Sequence, residues 1–123
     1  MIIGDTVRLR GIEKEDLPLF VNWLNDPDVR RYLSLYSPLS NAQEEKWFED
    51  LASHCLAEQP LMIETLDEGT WRPLGNISFL NVDQQSRNAE LGIFIGEKGF
   101  WGKGIGTKAI ALMLDYGFKT LNL

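Results

Sequence analysis

Three glycines at alternate positions mark the segment of this sequence that is best suited to chemistry. Gly102, Gly104 and Gly106 are accompanied by Lys103 and Lys108, and an apolar pattern of helical period follows them. Glycine allows a backbone to approach a ligand closely. A helix N-terminus adds unpaired N–H groups and the positive end of the helix dipole. A simple turn needs only one glycine, so three glycines with two lysines predict a site for phosphate or pyrophosphate.

Two known phosphate-binding motifs fit this segment poorly. A Walker A loop reads G-x-x-x-x-G-K-[ST]; if Gly102 and Lys103 supply its G-K pair, Glu97 replaces the first glycine and Gly104 replaces the Ser or Thr. The dinucleotide fingerprint G-x-G-x-x-A does match residues 104–109. The predicted strand ends well before Gly104, however, so a dinucleotide-binding oxidoreductase domain is kept only as a distant alternative.

Few other residues are candidates for chemistry. Glu90 lies on the predicted strand before the glycine loop, on the face opposite its apolar neighbours, where its carboxylate either faces solvent or takes part in chemistry. His54 and Cys55 are adjacent on a predicted helix and therefore do not face each other. Because the sequence has one histidine, we expect no histidine-based metal site.

Hydrophobic periodicity predicts the elements that position these residues. Alternating or continuous apolar runs predict strands over residues 7–10, 61–66, 74–82 and 89–95. Apolar stripes at helical spacing predict helices over 13–24 and 28–33. A third predicted helix begins at a Ser40–Gln43 capping box and includes Trp47 and Phe48. A fourth runs from the glycine loop to about residue 119. This order, with three successive antiparallel strands before the loop, predicts an α+β fold.

Length, charge and composition limit the possible functions. The 123 residues suit one domain, 1–123, and the apolar segment 121–123 suggests that a C-terminal third is missing. A net charge of −6 argues against nucleic acid and anionic lipid as partners. One cysteine, no signal peptide and no long apolar stretch predict a cytoplasmic protein that does not enter a membrane.

Residues 97–110 resemble the acetyl-CoA loop of the GNAT superfamily, usually written [QR]-x-x-G-x-[GA]. Residues 7–10, 22–26 with 29–33, and 114–118 with 121–123 also resemble this family, in the branch of ribosomal-protein alanine and spermidine acetyltransferases. The resemblance implies a GNAT-like acyl-CoA N-acyltransferase fold, with a mixed, mostly antiparallel sheet flanked by helices. Trp101 departs from the motif, since it stands where Gln or Arg is usual.

The resemblance also implies a cosubstrate and the residues that hold it. Acetyl-CoA would bind with its pyrophosphate on the loop amides and with its pantetheine arm paired to the backbone of the preceding strand. The implied cofactor-binding residues are Phe94, Ile95, Trp101, Gly102, Lys103, Gly104, Ile105, Gly106 and Thr107.

The implied reaction is acetyl transfer to a primary amine of a peptide N-terminus, a polyamine or another small molecule. No activated nucleophile is visible, so we expect direct attack, with Glu90 as the base. The general acid, usually a tyrosine, is expected beyond Leu123. The family often builds its acceptor wall at the positions of Arg30, Arg31, Tyr32 and Tyr36, although each of these residues taken singly is more typical of a solvated surface. A non-catalytic acyl-CoA-binding module is the main alternative. A homodimer is also kept open, because a sheet interrupted at Leu123 leaves an unpaired edge.

Overall fold

The computed structural model describes residues 1–29, 40–50, 59–83 and 85–121. Its described strands form one five-stranded sheet, in which each strand pairs antiparallel with the next along the chain. The strands are β1 (Ile2–Ile3), β2 (Val7–Gly11), β3 (Leu61–Asp67), β4 (Thr70–Asp83) and β5 (Asn88–Ile95). The described helices are α1 (Leu17–Asn25), α2 (Asn41–Asp50) and α3 (Ile105–Lys119), with 3-10 turns at Lys14–Asp16 and Lys98–Phe100.

The predicted α+β order is confirmed, including the three antiparallel strands before the loop and the helix that ends at Lys119. The prediction missed β1 and began β4 four residues late. Glu68 and Gly69 have positive φ angles of 50° and 81°, which is the geometry of a two-residue hairpin turn. The strand resumes at once, and Pro73 fits because it lies beside a shift of register in the β3–β4 pairing.

Helices cover both faces of the sheet, and this arrangement separates the core into two clusters. On one face, α3 packs on buried strand residues through Ile105, Ala109 and Met113. On the other face, Phe20 and Trp23 of α1 pack with Met62 and Phe94. The alternation predicted for β5 is confirmed, because its odd-numbered apolar residues pack against the α3 cluster whereas Phe94 packs against α1.

A buried charge network joins the first strands to the start of α1. The Arg10 guanidinium donates to both carboxylate oxygens of Asp16 at 2.8 and 2.9 Å, and it also contacts Glu64. Arg8 binds the other oxygen of Glu64 at 2.6 Å. Burial by itself would raise the pKa of Asp16, but the hydrogen bonds from Arg10 and from the Glu13 N–H outweigh it and hold that pKa below its ordinary value.

Within the described residues, no helix combines the length and the apolar character that are needed to cross a bilayer.

Candidate functional site

The segment between β5 and α3 is fixed at its start by close packing. The N–H of Gly96 donates to the Leu74 carbonyl oxygen at 2.7 Å, which holds the end of β5 against β4. A Cβ atom on Gly96 would lie 2.2 Å from Cγ of Trp23. Only glycine therefore fits between β4 and the indole of α1.

Polar contacts with the C-terminal end of α1 secure the next two residues. The Trp23 Nε1–H donates to Oε1 of Glu97 at 2.8 Å. The Lys98 ammonium lies 2.9 Å from a carboxylate oxygen of Asp28 and 3.0 Å from one of Asp26. These two carboxylates raise the pKa of Lys98 above its ordinary value, and the Lys98 hydrogen bond lowers the pKa of Asp26. The loop therefore leaves the sheet in a defined direction.

The glycine loop places a row of N–H groups at the start of α3. Gly102 and Gly104 both have φ of +77°, a left-handed conformation that favours glycine. Gly104 is the N-cap residue, and its carbonyl accepts the first helical hydrogen bond, from the Lys108 N–H at 3.1 Å. The N–H groups of residues 105–107 precede that bond and have no acceptor within the helix. They are available to an anion.

A cavity of about 490 Å³ opens in front of these N–H groups. It lies between β5, the loop and the first two turns of α3. The lining is mostly apolar, and it includes every predicted cofactor-binding residue except Lys103. The residues that line it are Ile93, Phe94, Ile95, Phe100, Trp101, Gly102, Gly104, Ile105, Gly106, Thr107 and Ile110.

The sequence reasoning missed three of these residues, and two of them carried a usable signal. Ile93 shares the face of Ile95 on β5, so strand alternation places both beside the cavity. Ile110 lies four residues after Gly106 and therefore on the same side of α3. Phe100 belongs to a 3-10 turn that hydrophobic periodicity did not reveal.

Of the three glycines in the loop motif, Gly106 is the one that backbone geometry does not explain. It lies in the first turn of α3, and its φ is not in the left-handed region. An added Cβ would meet only Cδ1 of Ile93, at an ordinary contact distance of 3.9 Å. Glycine inside a helix costs about 1 kcal/mol relative to alanine. A small residue at this position leaves the cavity open beside the α3 N–H groups, which is consistent with close approach of a ligand.

Trp101 connects the loop back to the strand. Its indole Nε1–H donates to the carbonyl oxygen of Ile95 at 2.7 Å, and the side chain, 41% exposed, borders the cavity.

The two lysines of the motif, Lys103 and Lys108, do not line the cavity. The Lys103 ammonium lies 5.6 Å from the ring centroid of Phe100, whereas Lys108 donates to the Thr6 hydroxyl at 2.9 Å.

The structure does not bring the predicted base into the cavity lining. Glu90 is exposed on β5, four residues before Phe94, which corresponds to about 13 Å along a strand. Tyr116 of α3 packs against the core. His54, Cys55 and residues 30–36 lie outside the described residues. Among the residues that the structure does describe, no group of three or more His, Cys, Asp and Glu side chains is placed to hold a metal ion.

The antiparallel pairing of β5 also argues against a dinucleotide-binding domain, whose fingerprint joins a parallel strand directly to a helix. The sheet, the loop and the helix N-terminus instead define a domain of another class. The family model for the acetyltransferase (GNAT) domain matches residues 6–123, and the chain belongs to this family.

Named relatives place the chain within that family. It is 31% identical over 118 residues to the spermidine N(1)-acetyltransferase of Escherichia coli (strain K12) and 28% identical over 119 residues to an uncharacterized N-acetyltransferase, p20, of Bacillus licheniformis. These matches cover 96% and 97% of this chain. They cover 60% and 66% of the respective relatives, so the chain spans less than two-thirds of their length.

A solved structure has the same fold. The crystal structure of spermidine N-acetyltransferase from Vibrio cholerae, in complex with CoA and spermine, superposes with a TM-score of 0.80 at 26% sequence identity. The match covers 98% of this chain and 68% of that one. The predicted GNAT fold is thereby confirmed.

Proposed function

We propose that this chain binds acetyl-CoA and is part of a single N-acetyltransferase domain that transfers the acetyl group to a primary amine. The observation that carries the proposal is the cavity at the N-terminus of α3. The N–H groups of residues 105–107 lie at this cavity, and Gly106 leaves them open to a ligand. Such N–H groups, together with the helix dipole, bind phosphate groups. The apolar remainder of the cavity suits the uncharged part of the ligand.

The pantetheine arm is assigned to the outer edge of β5. The Gly96 N–H points toward β4, where it bonds Leu74, and neighbouring residues of a strand direct their backbone groups to opposite sides. The backbone groups of Ile95 and Ile93 therefore face outward, whereas the Phe94 carbonyl faces Gly75 of β4. The proposal thus uses Ile93 and Ile95 for backbone pairing, whereas Phe94 lines the cavity with its own backbone groups directed to β4.

Glu90 is the proposed general base. An ammonium group has no lone pair, so the acceptor must lose a proton before it attacks the thioester carbonyl. Glu90 lies on the strand along which the arm would extend, where it is exposed on the same face as Phe94. The amine would form a bond to the acetyl carbon, and the tetrahedral intermediate would then expel the CoA thiolate, which takes up a proton.

Polyamines are the acceptors to test first. Two relatives named for spermidine acetylation match nearly the whole of this chain, and the Vibrio cholerae protein is described with spermine bound. A chain of net charge −6 also attracts polycations. Peptide N-termini and other small amines form the comparison set. A homodimer and a cytoplasmic location both stay predictions.

Calorimetric titration with acetyl-CoA, with NAD and ATP as controls, tests the binding site. Saturable binding of acetyl-CoA alone is expected, and the absence of acetyl-CoA binding would contradict the proposal. Thiol release in the presence of spermidine then tests catalysis. Binding without turnover on any amine would favour the non-catalytic acyl-CoA-binding module.

A further inference from the structure

Two basic side chains converge on one aromatic ring at the rim of the cavity. Cζ of Arg72 lies 5.8 Å and Nζ of Lys103 lies 5.6 Å from the ring centroid of Phe100. Phe100 lines the cavity, and Lys103 projects from the loop between two glycines that also line it. The pair therefore brings β4 and the loop together next to the cavity mouth.

Little in the surroundings neutralises this pair. Within the described part of the chain, Arg72 is paired with the carboxylate of Asp67 at a loose 3.7 Å, and both of these side chains are substantially exposed. An exposed ion pair of this kind contributes little. By contrast, the cations of the buried network and of the loop start are matched closely: Lys98 contacts two aspartates, and Arg10 contacts Asp16 and Glu64. Arg72 and Lys103 are thus a local positive region on a chain of negative net charge.

We propose that Arg72 and Lys103 form a second phosphate subsite, which binds a phosphate monoester that the ligand carries beyond its pyrophosphate. This inference rests on the proposed function, and in acetyl-CoA the group is the 3′-phosphate of the ribose. A phosphate monoester has a charge of about −1.5 to −2 at neutral pH. The arginine fork and the lysine ammonium are the donors that bind such a group most strongly.

The position of the pair relative to the α3 N-terminus separates the two phosphate sites. The N–H groups of residues 105–107 lie inside the cavity lining, whereas Lys103 does not line it. With the pyrophosphate on those N–H groups, the two cations are left for a group at the cavity mouth. The subsite therefore selects between ligands that share a pyrophosphate and differ in the third phosphate.

The test measures the dissociation constants of acetyl-CoA and of 3′-dephospho-acetyl-CoA for the unmodified chain, Arg72→Gln, Lys103→Gln and the double variant. Lys119→Gln is the matched control, because Lys119 pairs with Asp115 at the far end of α3. We expect the unmodified chain to prefer acetyl-CoA roughly tenfold, and the double variant to lose that preference through weaker acetyl-CoA binding alone. Thermal unfolding of each variant verifies that it folds.

Other outcomes have separate meanings. Equal binding of the two ligands by the unmodified chain would overturn the subsite and leave the proposed function intact. Equal weakening of both ligands in the double variant would also overturn it, since the cations would then act on the pyrophosphate. If neither ligand binds, the proposed function fails, and the subsite fails with it.

Discussion

The indole of Trp101 donates a hydrogen bond to the carbonyl oxygen of Ile95, the last residue of β5, across 2.7 Å. This bond joins the glycine loop to the outward edge of the strand that leads into it. It fixes the strand and the loop relative to each other before any ligand arrives. Preorganisation of this kind improves affinity by reducing the ordering cost of binding.

Trp101→Phe is expected to weaken acetyl-CoA binding about two- to tenfold. Phenylalanine keeps an aromatic ring beside the cavity but has no N–H for Ile95, and a hydrogen bond of this kind contributes about 0.5–1.5 kcal/mol. Calorimetric titration measures the change. Trp71→Phe, on β4, is the control and should leave affinity unchanged. Undiminished binding by the Trp101 variant would show that the loop is held without this bond.

Two substitutions at Gly106 separate stability from binding. Gly106→Ala adds a methyl group that has room beside Ile93, so it should raise the free energy of unfolding by up to about 1 kcal/mol and change affinity little. Gly106→Leu should still fold, since leucine favours helices, but its side chain would enter the cavity and abolish acetyl-CoA binding. Full affinity in the folded leucine variant would refute the assigned position of the ligand.

The sequence predicted the fold well where local patterns agree with tertiary packing. The alternation of β5 and the helical stripe of α3 are both present because each element buries one continuous apolar face. The prediction was late at β4, because Pro73 lowers strand propensity and only the register of β3 shows that it is accommodated. Short β1 carries too few residues for a periodic signal.

The loop of the candidate site was predictable, but its surroundings were not. Glycine spacing indicated the α3 N–H groups, since that signal is local. The Trp23–Glu97 bond joins residues 74 positions apart, and Arg72 approaches Phe100 only through the sheet. Neither contact can be predicted from a local sequence pattern. Lys108, one of the two lysines that favoured a phosphate site, donates to the hydroxyl of Thr6, which is 102 positions away and equally invisible to local patterns.

Glu90→Gln should lower the turnover number by about two orders of magnitude and leave acetyl-CoA affinity unchanged. Glutamine cannot accept the ammonium proton, and Glu90 lies outside the cavity lining. Steady-state thiol release and calorimetry report the two quantities separately. Glu68→Gln, in the β3–β4 turn, is the control for a surface change. Unchanged turnover would remove Glu90 from the mechanism.

Arg10→Ala should destabilise the chain by about 3 kcal/mol at neutral pH, because it leaves the buried carboxylates of Asp16 and Glu64 without their shared cation. The pKa of Asp16 is lowered in the folded state. Its contribution to the free energy of unfolding is therefore present above the pKa of the unfolded state and is lost as pH falls through the pKa of the folded state. The difference in the free energy of unfolding between the Arg10 variant and the unmodified chain should therefore shrink below about pH 4. Denaturant titrations at several pH values measure it, and a pH-independent difference would contradict the charge argument.

Glu44→Gln should stabilise the chain at neutral pH by about 1 kcal/mol or less. Glu44 is 6% exposed on α2, and burial raises the pKa of its carboxyl. At pH values between the pKa of Glu44 in the unfolded state and its pKa in the folded state, the folded state binds more protons. The free energy of unfolding therefore falls as pH rises through this window, and it stays lower above it. The gain from glutamine should be complete at pH 7 and absent below about pH 4. Thermal unfolding of this variant is compared with Glu45→Gln, since Glu45 is the exposed neighbour. A gain that equals the control's would mean that desolvation of Glu44 costs nothing measurable.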